Sequence, residues 1–412
     1  MSKLGIELAD GWATDELINL VEILVSNVDK KTIENEPSVR LCNYMDVYSN
    51  DYITSDIDFM NATASKSQIS KFKIKEGDVM ITKDSETPDD IGIAAVSLEN
   101  FEDVICGYHL ALLKPKKDKI VGFFLAKQLG QYQVNRQFAN RANGSTRYGL
   151  TLNVIETAVI PYPISIDKQS KIAHILTTCD TVIEQTQSAI AKYKAIKQGL
   201  LHDLFTQGLD ANGKLRPSYH DAPELYKESE LGMIPKEWEV KRLEEIAAMK
   251  SGDGITSAFI SDTGDFPVYG GNGLRGFTTT YTHQGDYVLI GRQGALCGNI
   301  TRVSSKFFAS EHAVVVTVNK DIDVDWLSQK LNYMNLNQYS EASAQPGLAV
   351  AKILRLCITK PQHNEQIEMG KRLLALDNKM IAEETLLQKY QSIKRGLMGD
   401  LLGGRKTLGN DA

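Results

Sequence analysis

The chain has 412 residues, 42% of them hydrophobic and 24% charged, a composition that excludes collagen-like, mucin-like and wholly disordered classes. At about 150 residues per domain the length predicts two or three domains. The formal net charge of −6 speaks to solubility and leaves local patches to be read separately.

Five cysteines, Cys42, Cys106, Cys179, Cys297 and Cys357, form no C-x-x-C pair. Neither a disulfide framework nor a structural zinc site is expected from them. The opening residues Met1-Ser2-Lys3-Leu4-Gly5-Ile6-Glu7 place polar and acidic groups where a secretory signal needs an apolar stretch. The longest apolar runs are far short of a membrane span, so the expectation is a cytoplasmic protein without a membrane partner.

In chain order, residues 78–82 and 109–113 read as strands of a first β-rich block. Residues 119–155 contain no Asp or Glu, while Lys119, Lys127, Arg136, Arg141 and Arg147 alternate with Tyr132, Phe138 and Tyr148. The loop through Arg141, Asn143, Ser145 and Arg147 offers guanidinium, amide and hydroxyl groups, the chemistry that reads base edges and holds phosphates. Pro161 and Pro163 mark a last strand before a helix. That helix carries a 3-4 seam through Ile172, Leu176, Cys179, Ile183, Thr186, Ile190, Tyr193, Lys197, Leu200 and Leu204, the pattern of a coiled coil. Residues 208–235, with Pro217, Pro223 and Pro235, read as a linker.

A second block follows, with strands at 287–290 and 313–318. Two further acid-free runs, 269–285 and 287–310, present Tyr269, Asn272, Arg275, Arg292 and Gln293 on glycine-flanked turns, and Gln345 stands where the first block has Arg147. Pro361 closes this block. A second seam then runs through Met369, Leu373, Leu376, Met380, Glu383, Leu387, Tyr390, Lys394, Leu397 and Leu401. The polar interruptions Thr186, Lys197, Glu383 and Lys394 are candidates for fixing register.

The two halves are a duplication: Asp180 aligns with Asp377 and residues 193–204 align with 390–401 without a gap, a period of about 197 residues that governs the architecture. The expected fold is α+β, with two β-rich domains, two long helices paired as an antiparallel coiled coil, and a pseudo-twofold internal repeat. The antiparallel arrangement keeps the linker short, whereas a parallel one makes it retrace a helix of roughly 60 Å.

Catalytic chemistry finds little support. Gly271-Asn272-Gly273-Leu274-Arg275-Gly276 fits G-x-G-x-x-G, but Phe277-Thr278-Thr279-Thr280-Tyr281 after it is β-prone where a dinucleotide site needs a helix. No Walker lysine motif occurs, Val159-Ile160-Pro161-Tyr162-Pro163 lacks the amide or acid of an amino-methyltransferase loop, and the seven histidines lack zinc spacing. Asp89-Asp90 and the Glu239-Val240-Lys241 triplet lie in different repeats and form no nuclease cluster. No catalytic, metal or cofactor site is expected in this chain.

Residues 193–205 with Thr206-Gln207-Gly208-Leu209-Asp210, then Ser229-Glu230-Leu231-Gly232-Met233-Ile234-Pro235-Lys236-Glu237-Trp238, carry a resemblance. So do Gly270-Gly271-Asn272-Gly273, Gly291-Arg292-Gln293-Gly294 and Ser310-Glu311-His312-Ala313. The sequence resembles the specificity subunit of type I restriction-modification systems over nearly its whole length, the first block being the less typical. The resemblance implies a target recognition domain over 1–163, a spacer helix over 164–208, a linker over 209–235, a second target recognition domain over 236–361, a second spacer helix over 362–406 and a tail over 407–412. It further implies that the domains read the halves of a split site on double-stranded DNA and that the helices set the spacer and dock two methyltransferase subunits. Restriction/translocase subunits then join, and S-adenosylmethionine, ATP and Mg belong to the partners. Two other readings share some features: a bipartite DNA-binding protein without methyltransferase partners, and a coiled-coil scaffold. The off-seam residues Ile175, Val182 and Ala189 favour an additional docking face over the first of these.

Overall fold

The computed structural model describes residues 8–294, 296–340 and 347–403. It divides into two compact units, one of Met1–Gln185 with Leu387–Ala412 and one of Thr186–Leu386. The fold is α+β, and the internal repeat reappears as a shared set of elements. Each β-rich domain opens with a strand, Trp12–Glu16 or Glu239–Arg242, that pairs antiparallel with the strand preceding its long helix, Val159–Pro163 or Cys357–Lys360. A single helical turn follows, Leu17–Leu20 or Leu243–Ile246, and buries its leucines.

The shared sheet comes next. Val21–Val25 pairs with Leu110–Pro115, which pairs with Val79–Thr82; in the second unit Ala247–Ser251 pairs with Ala313–Val318, which pairs with Tyr287–Gly291. All four predicted strands therefore form. The centre of each sheet is buried on both faces, which explains runs such as Val79-Met80-Ile81 and Val314-Val315-Val316 without polar alternation. Helices Gly122–Leu129 and Val324–Tyr333 cover equivalent places. The units differ in what is inserted between shared strands. The first carries the three-stranded sheet of Ser38–Cys42, Met60–Thr63 and Val104–Cys106 over its own core, and the second carries a four-stranded sheet that includes Phe266–Gly270 and Gly273–Thr278.

The first long helix runs Ile166–Thr206 and the second His363–Leu397, continued by a π-helical turn Met398–Leu402. Ser165 begins the first by accepting from Lys168 N through its hydroxyl. Gly208 ends it at φ +66°, where a side chain would also run into Trp238. In the first unit Leu401 and Leu402 share a core with Ile172 and Leu176, and Lys394 pairs with Asp180. In the second, Leu204 shares a core with Met369 and Leu373, and Lys197 pairs with Asp377 at 2.5 Å. Rising numbers on one helix meet falling numbers on the other, so the helices are antiparallel within each unit. Every seam position named above is buried or half-buried.

Residues 209–235 are not a bare linker. Tyr226–Ser229 and Gly232–Pro235 form a hairpin, and Arg216 pairs with Glu365 at 2.6 Å, which also accepts from Trp238 Nε1. All five cysteines are free. No helix among the described residues is long and apolar enough to cross a membrane.

Candidate nucleic-acid interface

The duplicated sheet places one end of the same two strands at an equivalent point in each unit. Pairing puts Thr82 opposite Leu110 and Gly291 opposite Ala313, so the residues just beyond correspond: Lys83 with Arg292, and His109 with His312. The backbone bonds agree. Lys83 N donates to His109 O at 3.0 Å and Arg292 N to His312 O at 2.9 Å. Leu150 N donates to Lys83 O at 2.8 Å and Leu348 N to Arg292 O at 2.9 Å. Gly149 lies opposite Asp84, and Gly347 lies opposite Gln293.

In the second unit this frame gathers residues that the sequence singles out. The turn between Phe266–Gly270 and Gly273–Thr278 bears Asn272, the second strand carries Arg275, and both are exposed. Gly271 packs so closely on Gly291 that a Cβ on Gly291 would lie 2.0 Å from Gly271 O, which is why glycines cluster here. Arg292 donates to Ser251 Oγ at 3.2 Å, and Gln293 is exposed. His312 pairs with Glu311 at 3.2 Å. Tyr269 packs edge-on against Phe307, and burial pushes its phenol above its ordinary range, so it stays a neutral hydrogen-bonding group. Gln345 lies outside the described residues.

In the first unit the predicted residues separate. Asn143, Ser145 and Arg147 sit on an exposed hairpin whose second strand, Tyr148–Gly149, pairs with Asp84–Ser85. Arg136 is exposed on another element, the helix Tyr132–Ala139, and bonds to Tyr132 Oη at 3.0 Å. Arg141 is half-buried and donates to Thr157 Oγ1 at 2.6 Å. In place of those two arginines the frame brings up Lys83, Asp84 and His109. Asp84 Oδ2 accepts from Lys83 Nζ at 2.6 Å and lies 2.9 Å from His109 Nδ1, while Lys83 Nζ sits 4.8 Å from the Tyr108 ring centroid. The acid-free run 119–155 thus does not make an acid-free surface, because Asp84 arrives from a distant strand. The signal for this group was present in the repeat as a histidine opening the equivalent strands, His109-Leu110-Ala111 and His312-Ala313-Val314.

Two matched glutamines tie the long helices to their units, one in each. Gln169 accepts from Val121 N at 2.8 Å and donates to Pro163 O at 2.8 Å; Gln366 accepts from Asp323 N at 2.9 Å and donates to Pro361 O at 2.9 Å. Both are fully buried. Among the described residues no group of three or more His, Cys, Asp or Glu is placed to hold a metal ion.

A family model described as the type I restriction modification DNA specificity domain matches residues 10–193 and 235–394. Among known proteins, the EcoprrI type I restriction enzyme specificity subunit of Escherichia coli is 44% identical over 153 residues, 36% of this chain and 37% of that one. The putative MjaX specificity subunit of Methanocaldococcus jannaschii is 21% identical over 97% of this chain and 94% of its own. The crystal structure of a type I restriction-modification S subunit from M. genitalium shares the fold, with a TM-score of 0.67 at 18% identity over 97% of both chains.

Proposed function

Because the chain belongs to the type I restriction-modification DNA specificity family, we propose that it is the non-catalytic subunit that gives a type I restriction-modification complex its address on double-stranded DNA. The site is bipartite, one half read by each β-rich domain, 1–163 and 236–361. The observation that carries this reading is the repeated frame, which presents Lys83-Asp84 in one unit and Arg292-Gln293 in the other through the same backbone bonds. Side chains of these types supply phosphate contacts and base-edge contacts together.

The paired helices dock two methyltransferase subunits, and restriction/translocase subunits join the assembly. S-adenosylmethionine, ATP and Mg act in those partners, and the complex works in the cytoplasm. Ile175 packs on the first unit's core and so is not free for docking, while Ile196, Ile381 and Ile393 are exposed on the long helices, where a docked partner would cover them. The partners supply part of the phosphate neutralisation, which reconciles a net charge of −6 with DNA binding.

The test is reconstitution with the accompanying methyltransferase. Duplex binding by the complex is expected to weaken linearly on a log-log plot against salt, and N6-adenine methylation is expected only when both proteins are present. Methylation of the same sites by the methyltransferase alone would refute the proposal.

A further inference from the structure

The repeated frame differs at one informative position. Asp84 and Gln293 occupy equivalent places, each opposite a glycine that closes the site, Gly149 and Gly347. Both follow a cationic residue, Lys83 or Arg292, whose backbone is bonded to the matching histidine. We infer that Asp84 and Gln293 are paired specificity-determining residues, Asp84 selecting a cytosine in one half-site and Gln293 an adenine in the other. The inference rests on the DNA-specificity reading above.

The chemistry follows from the hydrogen-bonding capacity of each group. Asp84 is anchored through one oxygen only: Oδ2 takes Lys83 Nζ and His109 Nδ1, and Oδ1 faces Gly149, where an added Cβ would lie 3.3 Å away. A carboxylate only accepts, so in the major groove it matches the cytosine N4 amine and is repelled by guanine O6 and N7 and by thymine O4. Adenine also offers an amine, but its N7 acceptor stands beside it. Lys83 offsets the cost of bringing a negative group towards phosphates. Gln293 is exposed, and its carboxamide both donates and accepts, which matches the adenine N6 and N7 edge. A shared backbone frame with an acid in one unit and an amide in the other gives two readers of different bases.

Asp84→Asn and Gln293→Glu each exchange one oxygen and one NH2 group at nearly constant volume. The full chain assembled with its methyltransferase would be assayed for initial methylation rates on duplexes in which every base pair of the wild-type site is changed singly. Asp84→Asn should lower the preference for C·G over A·T about tenfold at one position of one half-site, and Gln293→Glu should lower the preference for A·T about tenfold at one position of the other half. Profiles identical to wild type, equal loss on every duplex, or both variants acting on the same half would overturn the inference. If one variant fails to assemble, the other decides. A wild-type complex that methylates no duplex would instead bring down the function reading, and this inference with it.

Discussion

Gln366 shows how much one side chain holds. It is buried without exposure, and it satisfies both Asp323 N and Pro361 O. Gln366→Leu leaves those groups unpaired in the interior and should cost about 1–3 kcal/mol, read as a lower urea midpoint at unchanged slope. Lys330 makes the opposite case. Its ammonium touches Thr359 Oγ1 at 3.1 Å and the Phe205 and Tyr333 rings, and burial brings it down from 10.5 to about 8. Between pH 8 and 10.5 this side chain holds a proton in the unfolded chain that it has released in the folded one, so its own contribution to folding stability rises with pH across that window. Lys330→Met removes the rise, and the wild type should gain on the variant by up to about 3 kcal/mol over the window; parallel stability curves would contradict the assignment. Neither residue stood out in the sequence, because an isolated Gln or Lys on a helix is ordinarily solvated. The only available clue was that Gln169 and Gln366 fall at the repeat spacing.

At the scale of elements, the seam was legible because burial follows the 3-4 spacing along both long helices. The partners of its polar interruptions were not, since they depend on the antiparallel register. Lys197 meets Asp377, which also takes Gln329, and Lys394 meets Asp180, which also takes Lys127 and the Tyr52 hydroxyl. Each aspartate therefore binds the opposite helix and its own β-rich domain together. Lys197→Met alone should destabilise by about 1–3 kcal/mol, as it leaves the half-buried Asp377 carboxylate without its cation, and adding Asp377→Leu should recover part of that loss, which denaturant unfolding of the single and double variants checks. For Asp180, burial alone would raise the carboxyl, but Lys127, Lys394 and Tyr52 outweigh it and hold it below 3.8. Its contribution is complete above pH 3.8 and is lost as pH falls through the lower folded value. Asp180→Asn should accordingly flatten the acid limb of the stability curve.

For the whole molecule, the duplication was the most readable feature, and it led to the α+β class, the paired helices and the family. The second unit's candidate cluster was legible as well, because Asn272, Arg275, Arg292 and Gln293 lie on glycine turns close in sequence. The equivalent group of the first unit was not. Lys83-Asp84 and His109 lie far apart in sequence and are brought together by sheet pairing, while the more conspicuous Arg136 and Arg141 bond to Tyr132 and Thr157. Linear charge runs record neighbours along the chain, and the inserted sheets rearrange them in space.

One chain reading two separate half-sites for a methyltransferase leaves a methylation pattern of a defined form. The most direct measurement is genome-wide adenine methylation in a methylation-free host carrying this gene with its methyltransferase gene, and with each omitted in turn. The expected result is a single motif of two defined blocks around a fixed undefined spacer, present only when both genes are present. A continuous motif, or the same motif without this gene, would contradict it.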